Sequence, residues 1–228
     1  MASDIIEIVN YMIKGPGKGY GLSGVNLRLS AGDAFSMVTD SPDDAHFLLR
    51  AIATLEVPEE GKFFYKGKEL NLLDYSVLLP YKKKVGYIAA DAALISNLSA
   101  YENLMLMSSY FENSTSLKMP DKMVDLCRLF ELQEKLHLKP AELHPEENRL
   151  FIVIRELSKS PEILLIERPT DFLGAKSIDA LKTALRTLAG KNIALVLSSA
   201  DRAFISEFCN RQIVIEKGKI TTQPVTSQ

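Results

Sequence analysis

The chain has 228 residues, of which 46% are hydrophobic and 25% are charged, so its composition is globular and its length suffices for a full core. These values exclude a disordered chain, a collagen-like repeat and a disulfide-stapled miniprotein. Lys and Arg total 27 against 29 Asp and Glu, a formal net charge of −2, so nucleic acid is not an expected partner.

The cysteines indicate a reducing compartment, and the hydropathy indicates a chain that does not span a membrane. Cys127 and Cys209 have no CxxC spacing and no nearby metal-ligating residues, so neither a zinc site nor a disulfide is predicted. No apolar run approaches the about 18 residues that span a bilayer. The first residues, MASDIIEIVN, lack the features of a signal peptide. We therefore expect a cytoplasmic protein that meets a membrane only through a partner.

The first 90 residues predict a β-rich unit with one helix. The predicted strand segments are 5–9, 22–29, 34–38 and 85–89, and residues 63–68 predict another hairpin. The Gly-rich segment 15–19 predicts a hairpin turn between the first two. After the third strand, a polar turn at 39–44 leads into apolar spacing that favours a helix at 47–52.

The rest of the chain predicts helices followed by a βαβ unit. Helical apolar spacing dominates residues 98–156. The apolar runs 163–166 and 193–197 are typical of buried parallel strands, and an amphipathic helix at 177–188 separates them. A strand and turn at 212–220 precede a polar tail, 221–228, that we expect to be loose.

Five phrases in this order resemble the nucleotide-binding subunits of ATP-binding cassette (ABC) transporters over roughly residues 5–220. They are LSGVNLRLSAGD at 22–33, LLRAIATLEVPEEG at 48–61, KVGYIAADAALISNLSAYEN at 84–103, PEILLIERPT at 161–170 and CNRQIVIEKGKI at 209–220. The resemblance implies an α/β fold of the ABC-type P-loop ATPase, with a mixed sheet core, an antiparallel β subdomain and a helical insert. It implies a single domain at 1–220 whose insert covers about 98–156.

The segment that corresponds to the family's phosphate loop departs from the family's pattern. It reads Thr39, Asp40, Ser41, Pro42, Asp43, Asp44, Ala45 and His46. A phosphate loop needs glycines for backbone approach, a Lys for the phosphate charge and a Ser or Thr for magnesium. Here Ala45 replaces the Lys and His46 replaces the hydroxyl. A carboxylate about 5 Å from a phosphate charge repels it by roughly 3 kcal/mol, so this loop is predicted to oppose a triphosphate.

The other positions that the resemblance identifies depart in the same way. Ala90 stands at the family's glutamine, Glu167 at its metal-orienting aspartate and Ala200 at its switch histidine. Arg168 stands at the general-base glutamate and cannot accept a proton. The signature motif contains His144, Pro145 and Glu146 instead. The sequence thus predicts no catalytic residue, no metal ligand and no bound cofactor, whereas the family uses ATP and magnesium.

Structural roles compete with functional ones at several of these residues. Asp40, Asp43 and Asp44 suit a solvated turn in which Asp or Ser caps the next helix, and His46 and His144 suit surface or capping positions. Arg168 is expected to pair with Glu167, with Asp171 or with a carboxylate of the segment 39–46, and a binding role for Glu167 and Arg168 is the alternative. Tyr11 and Tyr20 flank the position of the family's adenine-stacking aromatic, and the choice between them stays open.

These observations predict a catalytically degenerate ABC-type subunit that neither binds nor hydrolyses ATP and serves transport structurally or by regulation. Its expected partners are a membrane permease, contacted through Leu94, Leu98 and Tyr101, and a second ABC subunit, identical or different. It would lie at the cytoplasmic face of the inner or plasma membrane as a peripheral protein. Its sequence at 93–104 is similar to that of the lipid-transport branch of the family. The alternatives are a soluble regulator or scaffold with this fold and a subunit with residual ATP binding or ATPase activity.

Overall fold

The structure is a computed structural model that describes residues 4–15, 21–112 and 118–225. The described residues form two compact units. The first lies within 1–90, 161–169 and 189–228, and the second lies within 91–160 and 170–188.

In the described residues, all strands belong to the first unit. They are β1 (Asp4–Ile13), β2 (Leu22–Ser30), β3 (Ala34–Thr39), β4 (Glu60–Tyr65), β5 (Lys68–Glu69), β6 (Val85–Ile88), β7 (Ile163–Glu167), β8 (Ala194–Ser198), β9 (Arg211–Glu216) and β10 (Lys219–Pro224).

The helices divide between the units. The first unit has α1 (Pro42–Ile52), α2 (Tyr75–Lys82) and α7 (Arg202–Phe208). The second has α3 (Ala100–Glu112), α4 (Asp121–Leu129), α5 (Pro145–Ser158) and α6 (Ala175–Ala189), with single 3-10 turns at Gln133–Lys135 and Pro140–Glu142.

A six-stranded mixed sheet forms one half of the first unit, in the order β10-β9-β3-β8-β7-β6. Pairing is parallel from β9 across to β6, and β10 joins antiparallel. All five residues of β7 are buried, as expected for an apolar run in a parallel sheet that is covered on both faces. The predicted α/β class with a mixed sheet core is confirmed.

A four-stranded antiparallel sheet, in the order β2-β1-β4-β5, forms the other half of this unit. β1 and β2 pair as the predicted hairpin, although residues 16–19 of its predicted turn lie outside the described residues. The aromatic side chains of Phe63 and Tyr65 each meet Tyr81 of α2 edge to face, with ring centroids 5.1 Å apart. Aromatic pairs of this geometry stabilise the core beyond their buried area.

α1 begins five residues before the predicted helix, at Pro42. Proline suits the first helical position because its fixed φ matches the helix and its missing N–H needs no partner there. Asp43 and Asp44 follow in the first turn, where carboxylates are favoured by the helix dipole. The polar turn is thus shorter than the sequence predicts.

The chain end also differs from its prediction. Thr221–Pro224 is part of β10 and pairs with β9 through the backbone rather than forming a loose tail, because a ladder needs no apolar side chains. Residues 226–228 lie outside the described part. In the described residues, none of the helices combines the length and the hydropathy needed to cross a bilayer.

Candidate functional site

The predicted site residues of the first unit gather at one edge of the six-stranded sheet. Asp40 follows β3, Ala90 follows β6 closely, Arg168 follows β7, and Ala200 follows β8 by two residues. These four strands are parallel, so all of these residues lie beyond carboxyl ends. In open α/β sheets, ligands bind at this edge, which makes it the candidate site.

The β3–α1 loop is closed by its own hydroxyl and backbone groups. Thr39 Oγ1 accepts the N–H of Ser41 at 3.0 Å and donates to the carbonyl of Ser41 at 2.9 Å. Ser41 occupies the N-cap position of α1, but its side chain makes no capping bond there. The expectation that Asp or Ser caps α1 through its side chain is therefore wrong for Ser41.

Asp44 and Ala45 face inward at the start of α1. Both are buried, with Asp44 5% and Ala45 1% exposed. Burial raises the pKa of the Asp44 carboxyl, and the charge of Asp43 raises it further. Ala45, which stands at the position of the family's lysine, thus packs in the core. The exposed negative charges at this end of α1 come from Asp40 and Asp43.

His46 joins the end of β7 through Glu167. Its Nδ1 lies 2.9 Å from Oε1 and 3.1 Å from Oε2 of Glu167. A carboxylate only accepts, so Nδ1 carries the shared proton. The expectation of a surface or capping role for His46 is corrected, because its side chain is 28% exposed and is bonded to a carboxylate that is 7% exposed.

Glu167 accepts two further hydrogen bonds. The hydroxyl of Tyr87, from β6, donates to Oε1, and the backbone N–H of Ala90 donates to Oε2 at 3.2 Å. Ala90 thus contributes its backbone at the point where the family places a glutamine side chain. Tyr87 was not identified from the sequence, where it reads as an ordinary strand residue.

Arg168 lies at a strained turn directly after β7. Its φ is 47°, in the left-handed region that a side chain with a Cβ rarely adopts, and its N–H donates to Ser198 at 2.7 Å. Backbone strain of this kind clusters at functional sites.

At the neighbouring strand end, Ala200 is exposed and Asp201 caps α7 by accepting the N–H of Phe204 at 3.0 Å.

In the second unit, the predicted signature residues begin α5. His144 is its N-cap residue and Pro145 opens the helix, while Glu147 accepts the N–H of His144 at 2.9 Å. Glu146 accepts the N–H of Gly174 at 2.9 Å, just before α6. A hydrogen bond from Ser177, followed by the one from Gly174, lowers the pKa of the Glu146 carboxyl.

The predicted permease contacts lie before and at the start of α3. Tyr101 is exposed and Leu98 is partly buried, but Leu94 is buried, so Leu94 departs from its predicted contact role. The neighbouring Ile95 is 42% exposed and presents the apolar side chain there. The alternation of one buried and one exposed apolar residue depends on the local turn, which hydropathy alone does not show.

Asn103 holds this segment in place and was not singled out from the sequence. It is fully buried, its Oδ1 accepts the N–H of Ile95 at 2.7 Å, and its Nδ2 donates to the carbonyls of Ile95, Leu98 and Ser99. A polar side chain within an apolar helix pattern is the signal that identifies such a residue, because burial requires it to be hydrogen-bonded.

The choice between the two candidate adenine-stacking tyrosines is narrowed. Tyr11 is 1% exposed and packs against Phe63 in the core, so its ring offers no free face to a ligand. Tyr20 lies outside the described residues.

Curated relatives of this chain are import ATP-binding proteins. The methionine import ATP-binding protein MetN of Helicobacter acinonychis is 26% identical over 92% of this chain, and that of Clostridium acetobutylicum is 27% identical over 87%. The glucose import ATP-binding protein GlcV of Saccharolobus solfataricus is 24% identical over 96%. The chain spans 64%, 62% and 62% of their respective lengths. No family model matches it.

Solved structures with the same fold are ABC cassettes. An ATP-binding subunit of an ABC transporter aligns with a TM-score of 0.82 and 18% identity, covering 97% of this chain and 90% of that one. A bacterial ABC transporter cassette, solved as a dimer, aligns with a TM-score of 0.82 and 23% identity, covering 98% and 100%. At these identities the likeness shows the fold.

The comparisons correct the functional prediction. The sequence predicts a degenerate subunit that is not an enzyme, whereas the relatives that match most of the chain are named as ATP-binding proteins. The alternative of an ATP-binding subunit is therefore the better supported one. None of these relatives is named for lipid transport. The chain has the ATP-binding-cassette fold and is similar in sequence to the ATP-binding subunits of ABC transporters.

Proposed function

We propose that this chain is an ATP-binding subunit of an ABC importer. The observation that carries the proposal is its similarity to import ATP-binding proteins over 87–96% of its length. The edge of the six-stranded sheet supports it, since the start of α1 and the carboxyl ends of β3, β7 and β8 meet where α/β sheets bind ligands.

The start of α1 is the part of this edge that suits phosphate. The N-terminal end of a helix of 11 residues presents backbone N–H groups and a partial positive charge. Asp40 and Asp43 are exposed there and oppose an anion. We therefore expect ATP to bind with a dissociation constant in the millimolar range, which corresponds to a binding free energy of about −4 kcal/mol.

A thermal-shift titration tests nucleotide binding. Mg-ATP should raise the melting temperature of the purified protein as RT ln(1 + [L]/Kd) requires. Ser41→Asp keeps a residue type that caps helices and adds a negative charge at the start of α1, so it should weaken the shift. Ser206→Asp, an exposed serine on α7, is the matched control and should leave the shift unchanged. An unchanged melting temperature at ATP concentrations well above the expected millimolar Kd would overturn the proposal.

The expected partners are a membrane permease and a second ABC subunit, which would place the protein at the cytoplasmic face of the membrane. Exposed apolar residues on and before α3 support permease docking: Ile95, Tyr101, Leu106 and Tyr110. A dimer is suggested by the bacterial cassette that was solved as one. The relatives are named as methionine and glucose importers, so their names point to more than one cargo. The permease partner would therefore identify the cargo of this subunit.

Purification from native cells in mild detergent tests the partners. Mass spectrometry should find a permease in stoichiometric amount, and Tyr101→Arg should reduce its recovery. Tyr75→Arg, at an exposed tyrosine of the first unit, is the control. Recovery without any membrane protein would contradict permease docking, and a permease of a lipid importer would support the lipid-transport prediction.

A further inference from the structure

The carboxylate of Glu167 is surrounded by hydrogen-bond donors. Oε1 accepts from His46 and from the hydroxyl of Tyr87, and Oε2 accepts from His46 and from the N–H of Ala90. A carboxylate has about four acceptor positions on its two oxygens. Three donors, of which the His46 N–H is shared by both oxygens, thus occupy much of the acceptor capacity through which Glu167 could ligate or orient a cation.

This donor set does not fit magnesium. Magnesium takes oxygen ligands in an octahedron at about 2.0–2.1 Å and is usually bound by one or two carboxylates, water and substrate phosphates. His46 stands where the family has a hydroxyl and offers an imidazole. Ala90 stands where the family has a glutamine and offers a methyl group and a backbone N–H that donates. In the part of the chain that the structure describes, no three His, Cys, Asp or Glu side chains are grouped to hold a metal.

Burial makes exchange of these donors for a cation costly. The Glu167 side chain is 7% exposed, and Ala45, which precedes His46, is fully packed. A cation beside Glu167 would have to displace the imidazole and the hydroxyl and leave them without their acceptor. Each displaced donor would lose a charge-assisted hydrogen bond.

We infer that the His46 imidazole takes the place of a divalent cation beside Glu167, so that Glu167 supplies no ligand for magnesium. The inference rests on the proposed function only in treating this edge as the nucleotide site. Nucleotide then enters through contacts at the start of α1, and any magnesium that accompanies it is held without Glu167.

Paramagnetic broadening by Mn²⁺ locates a cation directly. In a ¹⁵N-labelled sample without nucleotide, Mn²⁺ should broaden the Ala90 amide resonance no more than that of Ser206, an exposed reference on α7. Selective broadening of the Ala90 amide by Mn²⁺ alone would overturn the inference. Nucleotide is left out of this experiment because a metal bound to ATP at the start of α1 would broaden nearby amides without any ligand from Glu167.

His46→Ser is the matching variant, since it removes the imidazole and restores a hydroxyl. It should gain Mn²⁺-dependent broadening of the Ala90 amide, with a far-UV spectrum and an HSQC dispersion like those of the wild type. ATP binding is followed separately by the thermal shift. Absence of that shift in the wild type counts against the proposed function. Selective broadening of the wild-type Ala90 amide counts against the inference that His46 takes the place of a cation beside Glu167.

Discussion

His46 and Glu167 are 121 residues apart in sequence, and their side chains meet with Nδ1 2.9 Å from Oε1. The contact joins α1 to the carboxyl end of β7, and the Tyr87 hydroxyl adds β6 to the same cluster. A buried carboxylate is tolerated only where donors compensate for its lost hydration. The three elements are thus tied together at the edge where a ligand would bind.

His46→Ala should lower the free energy of unfolding by about 1–3 kcal/mol, because a buried charged acceptor loses a donor. Urea denaturation followed by circular dichroism measures the change. His137→Ala removes an exposed histidine and should stay within about 0.5 kcal/mol of the wild type. Equal stability of the two variants would mean that the His46 bond contributes nothing.

The fold could be predicted from the sequence because its signals are local. Continuous apolar runs at 163–166 and 193–197 mark buried parallel strands, and both were found within a residue or two of their observed bounds. α2 was missed because Pro80 lies inside it and its apolar residues do not follow one face.

The site could be predicted only as a set of positions. The sequence brings residues 39–46, 90 and 167 to one place through the resemblance, but their side-chain partners depend on contacts over long sequence distances. Nothing local distinguishes Tyr87 as a donor to Glu167, 80 residues later. The sequence therefore shows each replaced residue separately, and the hydrogen-bond network that joins them appears only in the structure.

Asn103→Ala should destabilise the second unit by about 1–3 kcal/mol. The change removes the acceptor of the Ile95 N–H and the donor to three carbonyl oxygens from a fully buried position. Hydrogen exchange of the Ile95 amide measures the effect locally and should become faster, alongside the loss seen in urea denaturation. Asn97→Ala, at an exposed position of the same segment, should preserve the slow exchange; equal exchange in both variants would contradict the assigned role of Asn103.

Asp44→Asn should raise the free energy of unfolding at neutral pH. Burial and the charge of Asp43 raise the pKa of Asp44 above 3.8 in the folded protein. A carboxyl with a raised pKa binds more protons when folded, so wild-type stability falls as the pH rises through the interval between the unfolded and folded values. Below that interval Asp44 is neutral in both states, and the advantage of the variant should disappear.

Urea denaturation at neutral pH and in acid gives the difference between variant and wild type at each pH. Asp40→Asn, which neutralises an exposed carboxylate of the same loop, is the control and should show a smaller gain at neutral pH. A variant that is less stable than the wild type at neutral pH would show that the Asp44 charge is compensated in the folded protein.

Glu146→Gln should have the opposite pH dependence. Hydrogen bonds from Ser177 and from the N–H of Gly174 lower the pKa of Glu146 below 4.5, so its charge stabilises the folded protein above that value. A carboxylate at the start of a helix contributes about 0.3–1 kcal/mol, and α6 begins at Ala175. The variant should lose about that much at neutral pH, and the loss should fade as the pH falls through the folded pKa. Glu134→Gln, an exposed glutamate of the same unit, should show no such trend, and a pH-independent loss at residue 146 would assign the effect to packing rather than to charge.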